Sequence, residues 1–354
     1  MFKKIIFGLS LWLFATTLSF GANLQDGYSA YEKGDYKTAL TIFEDLAKKG
    51  DIEAQFALGV TYDNGYGVKQ DYKKAIEWYE KAANQGYAPA QYNLGAMYYL
   101  GMGVKQDYKK AFEWYEKAAT QGYAKAQFNL GLIYSNGHGV KQDYKKAIEW
   151  FEKSATQGFA EAQYNLGVMY HNGYGVRQDY KKAFEWYEKA ATQGDVGAQF
   201  NLGLMYYKGE GVRQDYKKAF EWTEKAATQG YAKAQFNLGL MYKNGQVVKQ
   251  DYKKAFEWYE KAATQGYAPA QYNLGLMYYN GHGVRQDYKK AFEWTEKAAT
   301  QGYAKAQFNL GVMYDNGYGV RQDKKIAKEL FGKACDGGDQ KGCDNYKILN
   351  QQGY

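Results

Sequence analysis

The sequence is poor in the residue types that most often carry catalysis. Its 354 residues include only two cysteines, two prolines and three histidines, and residues 22–354 contain just three serines. None of these serines is followed by lysine three positions later, so the S-x-x-K motif of the penicillin-recognising serine enzymes is absent. The three serines are Ser29, Ser135 and Ser154.

Metal-binding and phosphate-binding motifs are also missing. His138, His171 and His282 lie far apart in the sequence, and no H-x-H or H-E-x-x-H pattern occurs. The glycine-rich N-G-Y-G-V segments lack the G-K-[ST] ending of a phosphate-binding loop. The sequence therefore predicts no cofactor, no metal, no catalytic residue and histidines on surface turns.

Charge is not concentrated in one place. The formal net charge of +8 comes from 46 basic and 38 acidic residues that are interleaved along the whole chain. Nucleic-acid binding usually requires a basic patch or stripe. The charge distribution therefore predicts no nucleic-acid partner.

A long apolar run occurs only at the beginning of the chain. Lys3 and Lys4 precede a mostly apolar segment, and Ser19 and Gly21 are small residues at the −3 and −1 positions of a cleavage site. This pattern predicts a signal peptide over residues 1–21, cleaved before Ala22, and export to the periplasm or the medium. The alternative is an uncleaved anchor, for which the apolar run is short.

The rest of the chain is repetitive. Near-identical units read D-Y-K-K-A-[FI]-E-W-[YFT]-E-K-[AS]-A-[TN]-Q-G-x-x-x-A-Q-[YF]-N-L-G-x-[MI]-Y-x-x-G-x-[GV]-V-[KR]-Q. A strict 36-residue period is typical of repeat proteins. The first aspartate of each unit is Asp35, Asp71, Asp107, Asp143, Asp179, Asp215, Asp251, Asp287 or Asp323.

Each unit predicts two helices. In the second unit, Asp71 is a favoured N-cap, Ala75 and Trp78 share one helical face, and a glycine at 86 ends the helix. A second helix is expected from about Ala88 to Leu100, and the glycine inside it indicates close contact with another helix. We therefore predict an all-α solenoid with a capping helix in residues 22–34, an array over 35–322 and a capping repeat over 323–354.

Two features of the units each allow two interpretations. The recurring tryptophans form either inter-repeat core, which we expect, or a ladder for carbohydrate or aromatic ligands. In the sixth turn Val247 replaces a glycine, so that turn must either relax or carry strain. The tryptophans are Trp78, Trp114, Trp150, Trp186, Trp222, Trp258 and Trp294.

The motif A-Q-x-x-L-G-x-M-Y…G-x-G-V-x-Q-D…K-A-x-x-W-x-x-K-A-A-x-x-G, as in residues 90–122, resembles the Sel1-like repeat. The resemblance covers residues 27 to 345 and includes a relation to tetratricopeptide repeats. It implies a right-handed α/α superhelix that acts as an adaptor for protein partners.

The last unit resembles the Helicobacter cysteine-rich proteins. Cys335 takes the place of Ala83 and Cys343 that of Gln91, and these are the only cysteines. That resemblance implies β-lactam binding or hydrolysis as an alternative function. An even cysteine count in an exported chain favours a structural disulfide, with a bound metal or two free thiols as the alternative.

The differences among the repeats suggest a binding surface. In the second helix they fall at positions 89, 92, 96 and 99 plus multiples of 36, which lie on one stripe. We predict that this stripe lines a concave groove that binds a protein or extended peptide; the alternative is drift of unselected exposed positions. Its predicted contacts are Tyr92, Asn93, Phe128, Asn129, Tyr164, Asn165, Phe200, Asn201, Phe236, Asn237, Tyr272, Asn273, Phe308 and Asn309.

Overall fold

A computed structural model describes residues 23–245 and 247–354, so the predicted signal peptide lies outside the described residues. Those residues form nineteen α-helices and no strand, which confirms the predicted all-α fold. The helices are α1 (Leu24–Glu32), α2 (Tyr36–Lys48), α3 (Ile52–Asn64), α4 (Tyr72–Asn84), α5 (Ala88–Leu100), α6 (Tyr108–Thr120), α7 (Ala124–Asn136), α8 (Tyr144–Thr156), α9 (Ala160–Asn172), α10 (Tyr180–Thr192), α11 (Val196–Lys208), α12 (Tyr216–Thr228), α13 (Ala232–Asn244), α14 (Tyr252–Thr264), α15 (Ala268–Asn280), α16 (Tyr288–Thr300), α17 (Ala304–Asn316), α18 (Lys324–Asp336) and α19 (Gln340–Gln351).

Local chemistry fixes the helix ends. Asp71 caps α4, because its side chain accepts hydrogen bonds from the backbone N–H groups of Lys73 and Lys74. Gly101 ends α5 in the left-handed conformation that glycine adopts without steric cost. The long turn that follows is pinned by the Gln106 side chain, which donates to the Tyr99 carbonyl at 2.8 Å. From α2 onward short turns alternate with long turns, whereas the turn between α1 and α2 is also short.

The described residues fall into two compact units. One comprises residues up to 126 together with 138–140, and the other comprises 127–137 and the residues from 141 onward. In the first unit, each helix from α1 to α6 packs on the next in sequence. In the second, each helix from α8 to α19 does the same. Consecutive helical hairpins are thus the packing scheme within each unit.

The recurring mid-helix glycine marks the tightest contact, as the sequence predicted. A Cβ built on Gly59 of α3 would lie 2.4 Å from the Tyr79 ring of α4, and one on Gly167 of α9 would lie 2.5 Å from the Tyr187 ring of α10. Both pairs are joined by the long turn. The closely packed hairpin therefore consists of the second helix of one unit, the long turn and the first helix of the next unit. Dividing the sequence from one aspartate to the next separates these two helices.

The tryptophans lie at the edge of the core. They are half-buried, whereas the residue that follows each of them is buried, as Tyr79 and Tyr187 show. The lysine three residues later lies over each indole, with the amine 3.7 Å from the ring centroid of Trp78 and 4.2 Å from that of Trp186. The expectation that tryptophan supplies the inter-repeat core is therefore only partly correct.

A single disulfide closes the last hairpin. Cys335 and Cys343 are bonded, with their Cα atoms 4.6 Å apart, as predicted from the cysteine count. In the preceding repeat the equivalent residues are joined by a hydrogen bond, because the Gln307 amide donates to the Ala299 carbonyl at 3.3 Å. The disulfide thus replaces a recurring hydrogen bond with a covalent one.

The sixth long turn differs from the others. A Cβ on Gly211 in the fifth turn would lie 2.2 Å from the Tyr180 carbonyl oxygen, so no side chain fits there. Val247 occupies that place in the sixth turn, and Tyr216, the counterpart of Tyr180, is 45% exposed. Tyr180, by contrast, is half-buried beside its glycine turn.

Candidate functional site

The predicted aromatic row consists of half-buried rings that connect neighbouring helices. The Phe236 ring of α13 lies 5.7 Å from the Tyr259 ring and 5.4 Å from the Tyr267 ring, measured between centroids. Phe200 of α11 lies 5.3 Å from Tyr231. Each ring therefore packs with one part of its surface and offers the other to solvent, in a fixed orientation. The row members are Tyr92, Phe128, Tyr164, Phe200, Phe236, Tyr272 and Phe308.

The asparagines beside this row hydrogen-bond to the protein itself. The Asn201 amide lowers the pKa of the Tyr164 and Tyr187 hydroxyl groups by favouring their ionised form. The Asn309 amide donates to the Tyr272 hydroxyl at 3.4 Å, and the Asn165 amide donates to the Glu161 carbonyl at 2.7 Å. The sequence analysis predicted these asparagines beside the aromatic row and did not predict that tyrosines of other helices lie next to Asn201 and Asn309.

The tyrosines behind the row are neutral. Burial is the main cause that raises the pKa of Tyr187 and of Tyr259 well above the usual value, because a phenolate there would lose its hydration. The hydrogen bond from Asn201 to Tyr187 acts in the opposite direction and does not overcome burial. These groups are therefore phenol hydroxyls, able to donate and to accept.

A second set of rings lies on the long turns. The Tyr99 hydroxyl is 2.8 Å from the His138 Nδ1 atom, and the His138 ring stacks on Tyr108 with centroids 4.8 Å apart. His138 lies on a turn, as expected, but one ring face is covered, and His171 lies within α9 and not on a turn. The sequence signal for this contact is the frequent tyrosine or histidine at this turn position, while the position of Tyr108 is always tyrosine in the repeats with a long turn.

The same stacking recurs in the second unit. The Tyr144 and Tyr174 rings stack at 5.5 Å, and those of Tyr252 and His282 stack at 4.7 Å. Where the turn position holds Glu210, its carboxylate is instead 3.3 Å from the His171 Nε2 atom. The turns therefore present aromatic faces and a few polar groups next to the second helices.

The described residues were compared with the requirements of a metal site and of a membrane-spanning helix, and they meet neither. Within residues 23–245 and 247–354, no three His, Cys, Asp or Glu side chains converge as a metal site. No helix in this part of the chain is both long and apolar enough to cross a membrane. Among the same residues no observation favours the β-lactam alternative, which stays a prediction.

Comparisons with known proteins agree with this geometry. The family described as Sel1 repeat matches eight consecutive segments, namely 52–87, 88–123, 124–159, 160–195, 196–231, 232–267, 268–303 and 304–339. No curated protein matches the chain.

Solved structures share the helical architecture. A Sel1 repeat protein from Oxalobacter formigenes is 33% identical over 97% of this chain and 98% of its own, with a TM-score of 0.69. A protective antigen present in uropathogenic Escherichia coli strains, which displays an SLR fold, is 32% identical over 94% of this chain and 91% of its own, with a TM-score of 0.53. Cysteine rich protein B of Helicobacter pylori is 30% identical over 36% of this chain and 92% of its own, with a TM-score of 0.30.

Proposed function

Since this chain belongs to the Sel1 repeat family, we propose that it is an exported scaffold that binds a protein or an extended peptide. The binding surface is the stripe of its second helices, at the aromatic row and the adjacent asparagines. The observation that carries the proposal is the row itself, in which half-exposed rings recur at 36-residue intervals beside amides.

The physical properties of this row suit peptide recognition. Its rings are held by packing on other rings, as Phe236 is by Tyr259 and Tyr267, so little side-chain entropy is lost on binding. Tyrosine and phenylalanine provide large contact areas with few rotatable bonds, and asparagine can donate to and accept from a peptide backbone. Repetition lets one extended ligand contact several repeats at once.

Export is a separate part of the proposal. It rests on the predicted signal peptide over residues 1–21 and is supported by the disulfide, because such bonds persist mainly in oxidising compartments. The chain would then reside in the periplasm or outside the cell. Cell fractionation with detection of the mature chain beginning at Ala22 tests this part, and an uncleaved chain in the cytoplasm contradicts it.

The binding proposal is tested by exchanging rings on one face only. We expect the variant Tyr164→Leu/Phe200→Leu/Phe236→Leu to capture the envelope partner at least tenfold less well than the native chain. Leucine keeps an apolar side chain where alanine would leave a cavity beside rings such as Tyr259. Capture is measured by pull-down from envelope extract with quantitative mass spectrometry, and folding by circular dichroism.

The control is the variant Trp186→Leu/Trp222→Leu/Trp258→Leu, which alters three rings on the first helices. We expect it to retain capture, because these residues lie outside the proposed stripe. Undiminished capture by the first variant, or equal loss in both, contradicts the groove assignment.

A further inference from the structure

A groove lined by lysines lies at the long turn between α3 and α4. Its volume is about 630 Å³, and its walls hold three lysines against one aspartate, so the lining is positively charged. We call it the lysine groove. Its walls include Tyr62, Lys69, Asp71, Tyr72, Lys73 and Lys74.

The acids nearest to the groove are engaged elsewhere. The Asp71 Oδ1 atom accepts hydrogen bonds from the backbone N–H groups of Lys73 and Lys74, each at 3.1 Å, and so caps α4. Asp63, next to Tyr62 in α3, accepts a hydrogen bond from the Tyr79 hydroxyl at 3.3 Å. Neither carboxylate forms an ion pair with a lysine of the groove.

Two of the three lysines have unpaired ammonium groups. The Lys74 amine lies over the Tyr62 ring, 5.1 Å from its centroid. Lys69 and Lys73 are exposed, and within the described residues they form no ion pair. A cleft lined by charges of one sign raises the local concentration of the opposite charge. The groove therefore presents two free cations to an anionic ligand.

Tyr72 distinguishes this groove from its counterparts. At the corresponding places, His138 stacks on Tyr108 and Tyr174 stacks on Tyr144. The turn residue that corresponds to His138 and Tyr174 is here Met102, and among the described residues no ring stacks on Tyr72. The groove therefore combines free ammonium groups with an aromatic wall that no second ring covers.

The groove adjoins the proposed binding stripe. Tyr62 lies in α3, one residue before Asp63, which occupies the most variable stripe position. The Gln70 side chain, on the wall of the groove, donates to the Asp63 carbonyl at 2.6 Å. A polypeptide that lies along the stripe can therefore extend a side chain into the groove.

The surrounding charges favour a single acidic side chain over a continuous polyanion. Glu77 and Glu80 follow the groove lysines on α4, and the same acids recur in the next repeat as Glu113 and Glu116. A nucleic acid or an acidic glycan that ran along several repeats would meet these like charges, which disfavour such a partner. A lone aspartate or glutamate reaches the lysines without approaching them.

We propose that the lysine groove binds aspartate or glutamate side chains of the partner polypeptide that the aromatic row contacts. This inference rests on the proposed scaffold function and names a chemical feature of its ligand. The carboxylate lies between the Lys69 and Lys73 ammonium groups, and the methylene groups lie on the Tyr72 ring. Ion pairs at an exposed surface are individually weak, so the groove selects acidic partners and the aromatic row provides most of the affinity.

The test uses an acetylated and amidated hexaglutamate peptide and the purified full chain. A carbodiimide joins carboxylates to amines that lie in direct contact, and mass spectrometry of proteolytic fragments identifies the lysines. We expect Lys69 and Lys73 to be crosslinked roughly fivefold more than Lys145, whose groove has a stacked ring, and Lys181, whose groove faces Glu210. High salt should remove this preference.

Met102→Tyr is the matched variant, because it supplies the ring that Tyr174 supplies elsewhere. It should lower crosslinking at Lys69 and Lys73 to the level of Lys145, with unchanged circular dichroism. Equal crosslinking of all four lysines in the native chain, or no effect of Met102→Tyr, overturns the inference. Capture through the aromatic row is measured separately with its leucine variant, so the scaffold proposal would be unaffected.

A second ligand separates a polypeptide from a glycan. Hexagalacturonate carries the same number of carboxylates on sugar rings, and we expect it to be crosslinked to Lys69 and Lys73 less than hexaglutamate. Equal or greater crosslinking by hexagalacturonate would assign the groove to acidic glycans and overturn its assignment to a polypeptide.

Discussion

At the scale of single residues, packing is organised by a glycine in one helix and a ring in the next. Gly167 and Tyr187 are so close that even a methyl group on Gly167 would overlap the ring. The sequence indicated that the glycine contacts a helix. It did not identify the ring, because adjacent residues such as Trp186 and Tyr187 differ by about 100° around the helix and both border the apolar face.

Gly167→Ala tests this contact. Alanine gains up to about 1 kcal/mol in helix propensity, but overpacking a filled core typically costs about 1–3 kcal/mol. The added Cβ would lie 2.5 Å from the Tyr187 Cδ1 atom, so overpacking outweighs propensity. We expect a net loss of about 1–2 kcal/mol in the free energy of unfolding, measured with urea.

Gly197→Ala is the matched control. Gly197 also lies in a second helix, but its added Cβ would meet the outer end of the Tyr164 ring, 2.9 Å from the Cε2 atom. An equivalent pair, Lys125 and Tyr92, already tolerates a long side chain at this place. We therefore expect no loss of stability, and equal losses in the two variants would show that the glycine–ring contact is not special.

At the scale of helices, hydrogen bonds between glutamine side chains link one hairpin to the next. The Gln163 amide donates to the Ala155 carbonyl at 3.1 Å, and the Gln193 amide donates to the Gln163 side-chain oxygen at 2.7 Å. The series reaches Gln307 and is replaced at the next repeat by the disulfide. The helix α19 is therefore held covalently to α18.

Replacing the cysteines measures how much this bond contributes. For a loop this short, loss of the crosslink in Cys335→Ser/Cys343→Ser should cost about 2–3 kcal/mol. Because each 1.4 kcal/mol is a factor of ten, amide hydrogen exchange in α19 should accelerate roughly 30- to 140-fold. Exchange is followed by mass spectrometry of the peptide that contains α19.

The control variant Cys335→Ala/Cys343→Gln restores the residues of the other repeats. Its glutamine can form the hydrogen bond that Gln307 makes, which should recover about 1 kcal/mol relative to the serine variant. Identical exchange in the two variants would mean that the recurring hydrogen bond does not stabilise the last hairpin.

Helix positions could be predicted closely from the sequence. The second helix expected from about Ala88 to Leu100 is α5, because its boundaries depend on local capping by residues such as Gly101. The stacking of His138 on Tyr108 could not be predicted in the same way, since the two residues are brought together by helix packing and not by local pattern. The predicted stripe lies on the second helices, whereas its buried partners became evident only in the structure.

At the scale of the whole molecule, the strict 36-residue period makes neighbouring interfaces interchangeable. In the second unit the helices α8 to α19 pack in sequence, each on the next, so each of these repeats depends mainly on its neighbours. The stability of such an array is approximately a sum of repeat and interface terms. Deleting one repeat should therefore remove one repeat term and one interface term from the free energy of unfolding and leave the other terms unchanged.

Deletion of residues 160–195, which removes α9 and α10, tests this property. The deletion joins Phe159 to Val196, so Gln199 can donate to the Ala155 carbonyl in place of its present acceptor, the Ala191 carbonyl. We expect a folded, fully helical protein whose urea m-value falls by about a tenth, in proportion to the surface that unfolding exposes.

Deletion of residues 160–177, half a repeat, is the control. It places α10 directly after α8, so two first helices become neighbours and the mid-helix glycine that receives Tyr187 is lost. The Tyr187 ring would then pack against a helix that has no glycine opposite it. We expect a broad, non-cooperative unfolding transition. If the two deletion variants had the same unfolding transition, neighbouring repeats would not be interchangeable in stabilising the array. The 36-residue period would then be a property of the sequence without a role in stability.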